Sequence, residues 1–179
     1  MISTFLANLG PWADLLLAVA AAGVVLLGVL LARGGARGCR VAGGLALLSA
    51  AAVLALTLAP ESGATERESF CFVQVDGTLF LDAANTAMLF PAAFFGAIAT
   101  RAPLPVLAAA SGLSALIELV QATAVVLNRS CDVGDWLTNT VGALLGVLLA
   151  AAVLLAVHRL DRGRTADVDV EQRVEAAHR

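Results

Sequence analysis

Long uncharged stretches alternate with short polar ones along this chain. Leu15 to Ala32 carries no charge and is bracketed by Asp14 and Arg33, and Val41 to Pro60 is again uncharged. A polar stretch from Glu61 to Asp82 precedes a third run, Ala83 to Thr100. Arg101 with Pro103 and Pro105 marks the next turn. The fourth run, about Leu104 to Ala124, is broken only by Glu118, and the fifth extends from about Asp132 to Val157 before a charged tail. An apolar bilayer core of about 30 Å takes roughly 20 helical residues per crossing. The pattern therefore predicts an all-α fold, a polytopic membrane bundle of about five transmembrane helices. One transmembrane domain is expected over residues 1–158, followed by a polar tail, 159–179, that the composition predicts to be solvated and partly disordered.

The connecting segments give this bundle a direction. Arg33, Arg37, Arg40, Arg101, Arg159, Arg162 and Arg164 fall on one side of a five-span arrangement, against Arg67 and Arg129 on the other. Cytoplasmic loops hold an excess of basic residues, so the N-terminus is expected outside and the tail inside. The two outer loops then run from Glu61 to Asp82 and from Val125 to Cys131. In the first, Val73 to Phe80 carries an Asp76-Gly77 pair between apolar residues, which reads either as a β-hairpin or as an irregular interfacial segment. Cys71 and Cys131 both map to these outer loops, where a disulfide can persist, and a Cys71–Cys131 bridge is expected. Cys39 lies on the other side and should stay reduced.

Composition strengthens the membrane reading and closes off others. The chain is 60% hydrophobic with 14% charged residues and a mean hydropathy of +0.89, too apolar for a soluble surface. A net charge of -3 spread over loops and tail gives no support for nucleic-acid binding. No basic stretch precedes the first apolar run, so no cleaved signal peptide is expected.

Candidate chemistry lies where polar residues interrupt lipid-compatible sequence. A carboxylate inside a span costs at least about 2.5 kcal/mol on insertion scales unless it is paired, protonated or turned to a polar cavity, so Glu118 needs a partner. Ser114, Glu118 and Gln121 recur on one helix face, as do Asp132, Asp135 and Asn139 on the fifth helix; Asp82 and Asn85 open the third. At 1.5 Å per residue, Glu118 and Asn139 both lie roughly 10 Å below the outer surface. These side chains can converge on one outward-facing pocket, with Arg129 on the short loop above it. Capping explains Asp82 and Asp132 equally well, since both stand at helix starts and Asp132 with Asp135 has capping-box spacing. Trp136 reads as an interfacial anchor, His158 as a helix-end cation, and Gly142 with Gly146 as a close-packing pair. Pro91 predicts a kink, because it cannot donate to the carbonyl of Ala87.

Around these positions the chain resembles the VanZ-like family of bacterial membrane proteins. Asn85 to Ala93, NTAMLFPAA, is similar to the family's Asn and Pro segment, with Ala93 where a Gly is usual and Leu89 where a Phe is usual. Ser114, Ile117, Glu118 and Gln121, in SALIELVQ, fit its second block. Arg129, Asp132, Asp135, Asn139, Gly142 and Gly146 fit its third, so the resemblance covers about residues 82–150. The family's namesake is associated with low-level resistance to the glycopeptide teicoplanin.

Three functions follow. The pocket could bind a lipid headgroup, a lipid-linked wall precursor or a lipophilic glycopeptide through Asp82, Asn85, Ser114, Gln121, Arg129, Asp132 and Asn139, with Arg129 meeting an anionic group. It could instead belong to a membrane-embedded transferase or hydrolase with Glu118 or Asp135 as general base. Or the polar set could be a structural network in a protein that acts through partners. No cofactor is implied, and without His or Cys beside the carboxylates no metal site is expected. Helices one and two carry no part of the motif, so the sequence ties neither to the pocket.

Overall fold

The computed structural model describes residues 12–60, 83–129 and 131–177. The segment from Val73 to Phe80, read as a β-hairpin or an irregular interfacial stretch, lies outside these residues, as do Asp82 and Cys71. Among the described residues five α-helices stand where five spans were expected: α1 (Trp12–Arg33), α2 (Gly35–Thr57), α3 (Ala83–Thr100), α4 (Pro103–Thr123) and α5 (Val133–Ala177). By length and composition, Gly35–Thr57, Pro103–Thr123 and Val133–Gly163 can each cross a membrane, and Ala22–Arg33 and Asn85–Thr100 are shorter apolar stretches.

Local chemistry sets the boundaries. The basic segment after Arg33, expected as a loop, shrinks to a turn at Gly34 because Gly35 takes φ +56°, and α2 then absorbs Arg37 and Arg40. Arg101, at φ +55°, closes α3 by donating its N–H to the Ala97 carbonyl at 2.9 Å. Pro103 suits the first turn of α4, where its missing N–H leaves no bond unmade. After Thr123 a single 3-10 turn, Val125–Leu127, leads to Asn128 at φ +49°, and asparagine tolerates this left-handed conformation. Asp132 then caps α5, its Oδ1 accepting the Gly134 N–H at 2.8 Å.

The polar tail, expected to be partly disordered, continues α5 to Ala177. Its Ala, Arg and Glu content favours helix, and extending a helix that already exists requires no new nucleus. At 1.5 Å per residue the whole of α5 is about 68 Å long, more than twice an apolar bilayer core.

Side-chain bonds between helix ends show the helices alternating in direction. Arg101 Nη2 donates to the Ala32 carbonyl at 3.3 Å, joining the last turns of α1 and α3. At the opposite end Gln121 Nε2 donates to the Thr57 carbonyl at 2.9 Å, joining the last turns of α2 and α4. Burial follows the same logic. Leu89, Phe94 and Ile98 of α3 are fully buried, and α5 buries Ala143, Val147, Ala150, Val153 and Val157 along one stripe. Leucines 47, 48, 104, 116, 119, 148 and 155 stay exposed while Ser114, Glu118, Gln121 and Asn139 are buried. Leucines outside and polar side chains inside is the distribution that lipid, not water, favours.

The α3–α5 contact is a backbone contact. A Cβ on Gly142 would collide with the Thr86 carbonyl, and one on Gly146 would lie 2.6 Å from the Phe90 carbonyl oxygen. The close-packing role of this pair is thus seen directly. Ala93, where the resemblance expects Gly, fits without displacement: it is buried, 3.3 Å from where a Gly146 Cβ would stand.

Candidate functional site

The polar side chains gather where α3, α4 and α5 meet, and most of them are satisfied by one another. Asn85 of α3 donates through Nδ2 to Asp135 Oδ1 of α5. Asn139 Nδ2 donates to Ser114 Oγ at 3.2 Å, and both residues are almost wholly buried. Asn139 Oδ1 has no partner among the described residues, an omission that costs about 1–3 kcal/mol for a buried acceptor.

The capping box anticipated at Asp132 and Asp135 is assembled differently. Asp132 supplies the cap, but its own N–H donates across to Glu118 Oε2 at 2.9 Å. In a capping box the residue three positions on would accept that N–H; here a carboxylate from α4 does so, and Asp135 is left to hold Asn85. The two carboxylates considered as general bases therefore face different donors. Among the described residues no three His, Cys, Asp or Glu side chains gather to hold a metal ion.

Arg129 turns toward α2. Its Nε donates to the Ala59 carbonyl at 2.8 Å and its Nη2 to the Leu56 carbonyl at 3.4 Å. With the Gln121 bond to Thr57, two motif residues satisfy carbonyls that the last turn of a helix leaves open. This corrects the expectation that nothing ties α2 to the polar set.

Sequence reasoning missed the α4–α5 strut built on Ser111. The Trp136 indole N–H donates to the Ser111 carbonyl at 3.3 Å, and Ser111 Oγ lies 3.0 Å from Thr140 Oγ1. Spacing was the available signal, because Ser111 extends the stripe of Ser114, Glu118 and Gln121 by one turn, and Thr140 lies one turn beyond Trp136.

An open groove lies at this site. It measures about 250 Å³ and is lined by Ala115, Glu118, Leu119, Ala122, Cys131, Val133 and Trp136. Its walls are otherwise apolar, and Leu119 on its rim is 58% exposed, so the groove opens sideways from the bundle. Glu118 is its one charged lining residue and is only 7% exposed. Cys131, also on the wall, is disulfide-bonded, whereas Cys39 is a free thiol.

No curated protein and no solved structure matches the chain. The family model described as VanZ/LLP1 matches residues 48–155. That range takes in the second half of α2, all of α3 and α4, and α5 from its start to Leu155. With apolar membrane-crossing helices and a match over more than half its length, this chain is a membrane protein of the VanZ/LLP1 family.

Proposed function

We propose that this protein is a multi-pass protein of the bacterial plasma membrane that binds an amphiphile in the groove between α4 and α5, with the Arg129 end facing outward. The observation that carries the reading is an apolar groove, open on its side, with one buried carboxylate in its wall. Apolar walls suit a hydrocarbon chain, and one placed polar group orients the head. Membrane lipids, lipid-linked wall precursors and lipophilic glycopeptides such as teicoplanin share this two-part chemistry. Glu118 is the polar contact in this reading, and Arg129 holds the wall by fixing the end of α2.

Native mass spectrometry of protein purified in mild detergent tests the proposal. The wild type is expected to retain a lipid, and Ala115→Trp, which fills the groove from an exposed wall position, to lose it while keeping its helical content. Retention unchanged by Ala115→Trp would refute the groove as the site. Cys71 is the proposed partner of Cys131. Alkylation of both cysteines without prior reduction would remove that pairing.

For the polar side chains outside the groove a second reading has its own support. Asn85 with Asp135, Ser114 with Asn139 and Gln121 with Thr57 are pairs that hold helices together. Their substitution should change stability before it changes ligand binding.

A further inference from the structure

The charge around the groove selects its ligand. Glu118 presents the only charge among the lining residues. The donors that could have served an anion are engaged elsewhere. Arg129 donates to Ala59 and Leu56 carbonyls, and the Trp136 indole N–H donates to Ser111. At the start of α5, ordinarily an attractive place for an anion, three of the N–H groups are in use: Asp132 donates to Glu118, Gly134 to Asp132 Oδ1, and Asp135 to the Asp132 carbonyl. Depth also matters. The bond from Asp132 N–H sets Glu118 level with the first turn of α5, shallower than Asn139, which pairs with Ser114 one turn deeper and not at the equal depth that residue counting suggested; a span leaves the apolar core there, so a lipid head can reach Glu118 without leaving the interface.

Resting on the reading of the groove as a lipid site, we propose that its ligand is a membrane lipid whose head ends in a primary ammonium, which donates an N–H to the Glu118 carboxylate. A primary ammonium brings both the complementary charge and a donor, and such charge-assisted bonds are about twice as strong as neutral ones. A quaternary ammonium carries the charge with no N–H. An anionic head would place its charge against Glu118, with Asp132 and Asp135 on the adjoining turn.

The test uses the full chain with Trp12→Phe, which leaves Trp136 as the reporter, in vesicles containing brominated-chain phosphatidylethanolamine, phosphatidylcholine or phosphatidylglycerol of identical acyl composition. Quenching is expected to show about a tenfold preference for phosphatidylethanolamine over both others, the ratio given by one hydrogen bond to a charged group. Glu118→Gln keeps an oxygen for the Asp132 N–H and should preserve helical content while bringing the preference close to unity. Equal quenching by phosphatidylcholine, or a preference for phosphatidylglycerol, overturns the ammonium assignment while lipid occupancy stands. Quenching that is the same for all three lipids and indifferent to Ala115→Phe, which fills the same wall position without adding an indole, overturns the groove itself, and the assignment with it.

Discussion

Helix α5 meets its two polar neighbours in opposite ways. Toward α3 it offers Gly142 and Gly146, so the backbones touch and the contact is sealed by the Asn85–Asp135 bond. Toward α4 it offers Val133, Trp136 and Thr140, whose bulk holds the helices apart, and a groove lies beside the Trp136–Ser111 strut. The same polar residue types occur on both sides. Side-chain size at the crossing decides which side closes into structure and which stays open for a ligand.

Substitutions can break this contrast, and the largest effects belong to the closed side. Gly142→Leu drives a side chain into the Thr86 carbonyl and should abolish recovery of monodisperse protein, read by size exclusion. Gly146→Ala should lose about 1–3 kcal/mol, the usual penalty of overpacking. Gly112, with nothing within 4 Å of an added Cβ, is the control: Gly112→Ala should lose no stability. A wild-type melting temperature for Gly142→Ala would mean the two backbones do not touch.

Next comes the bond that seals that contact. Asn85→Ala withdraws a donor from Asp135 and should lower stability by about 1.5–3 kcal/mol, the range for hydrogen bonds to charged groups. A thermal melt unchanged by this variant would remove the bond from the account.

Gln121→Ala withdraws one neutral bond from the end of α2, about 1 kcal/mol. Hydrogen exchange should quicken at the Leu58 amide, which closes that helix on Leu54, and leave α3 unaffected. Protection of Leu58 equal to wild type would separate α2 from the polar set after all.

The open side should show the smallest stability change and the clearest functional one. Ala115→Trp adds bulk to an exposed groove wall, so stability should stay within about 0.5 kcal/mol, as for ordinary surface changes. Lipid retention should nevertheless disappear. A large loss of stability instead would mean the groove is packed like the α3 side.

Much of this was legible in the chain. The uncharged runs locate all five helices, because lipid forces every spanning segment to satisfy its own backbone. The period of Ser114, Glu118 and Gln121 places them on one buried face before any partner is known. The Gly142–Gly146 spacing marks the tightest crossing. What spacing could not supply was the identity of partners. A stripe says which way a residue points within its helix and nothing about what stands opposite. Hence Arg129, read as the roof of a pocket, fastens α2, and Asp135, read as part of its own helix's cap, bonds to α3. Trp136, read as an interfacial anchor, spans to Ser111.

The sequence by itself determined that this is a membrane bundle and which faces are polar, since hydrophobic run length and helical period are local properties of a chain. Only the tertiary structure decided that Glu118 accepts the Asp132 N–H, that Gln121 and Arg129 serve the end of α2, and that a groove stays open between α4 and α5. Those outcomes depend on how closely pairs of helices approach, and that distance is fixed jointly by residues far apart in the chain.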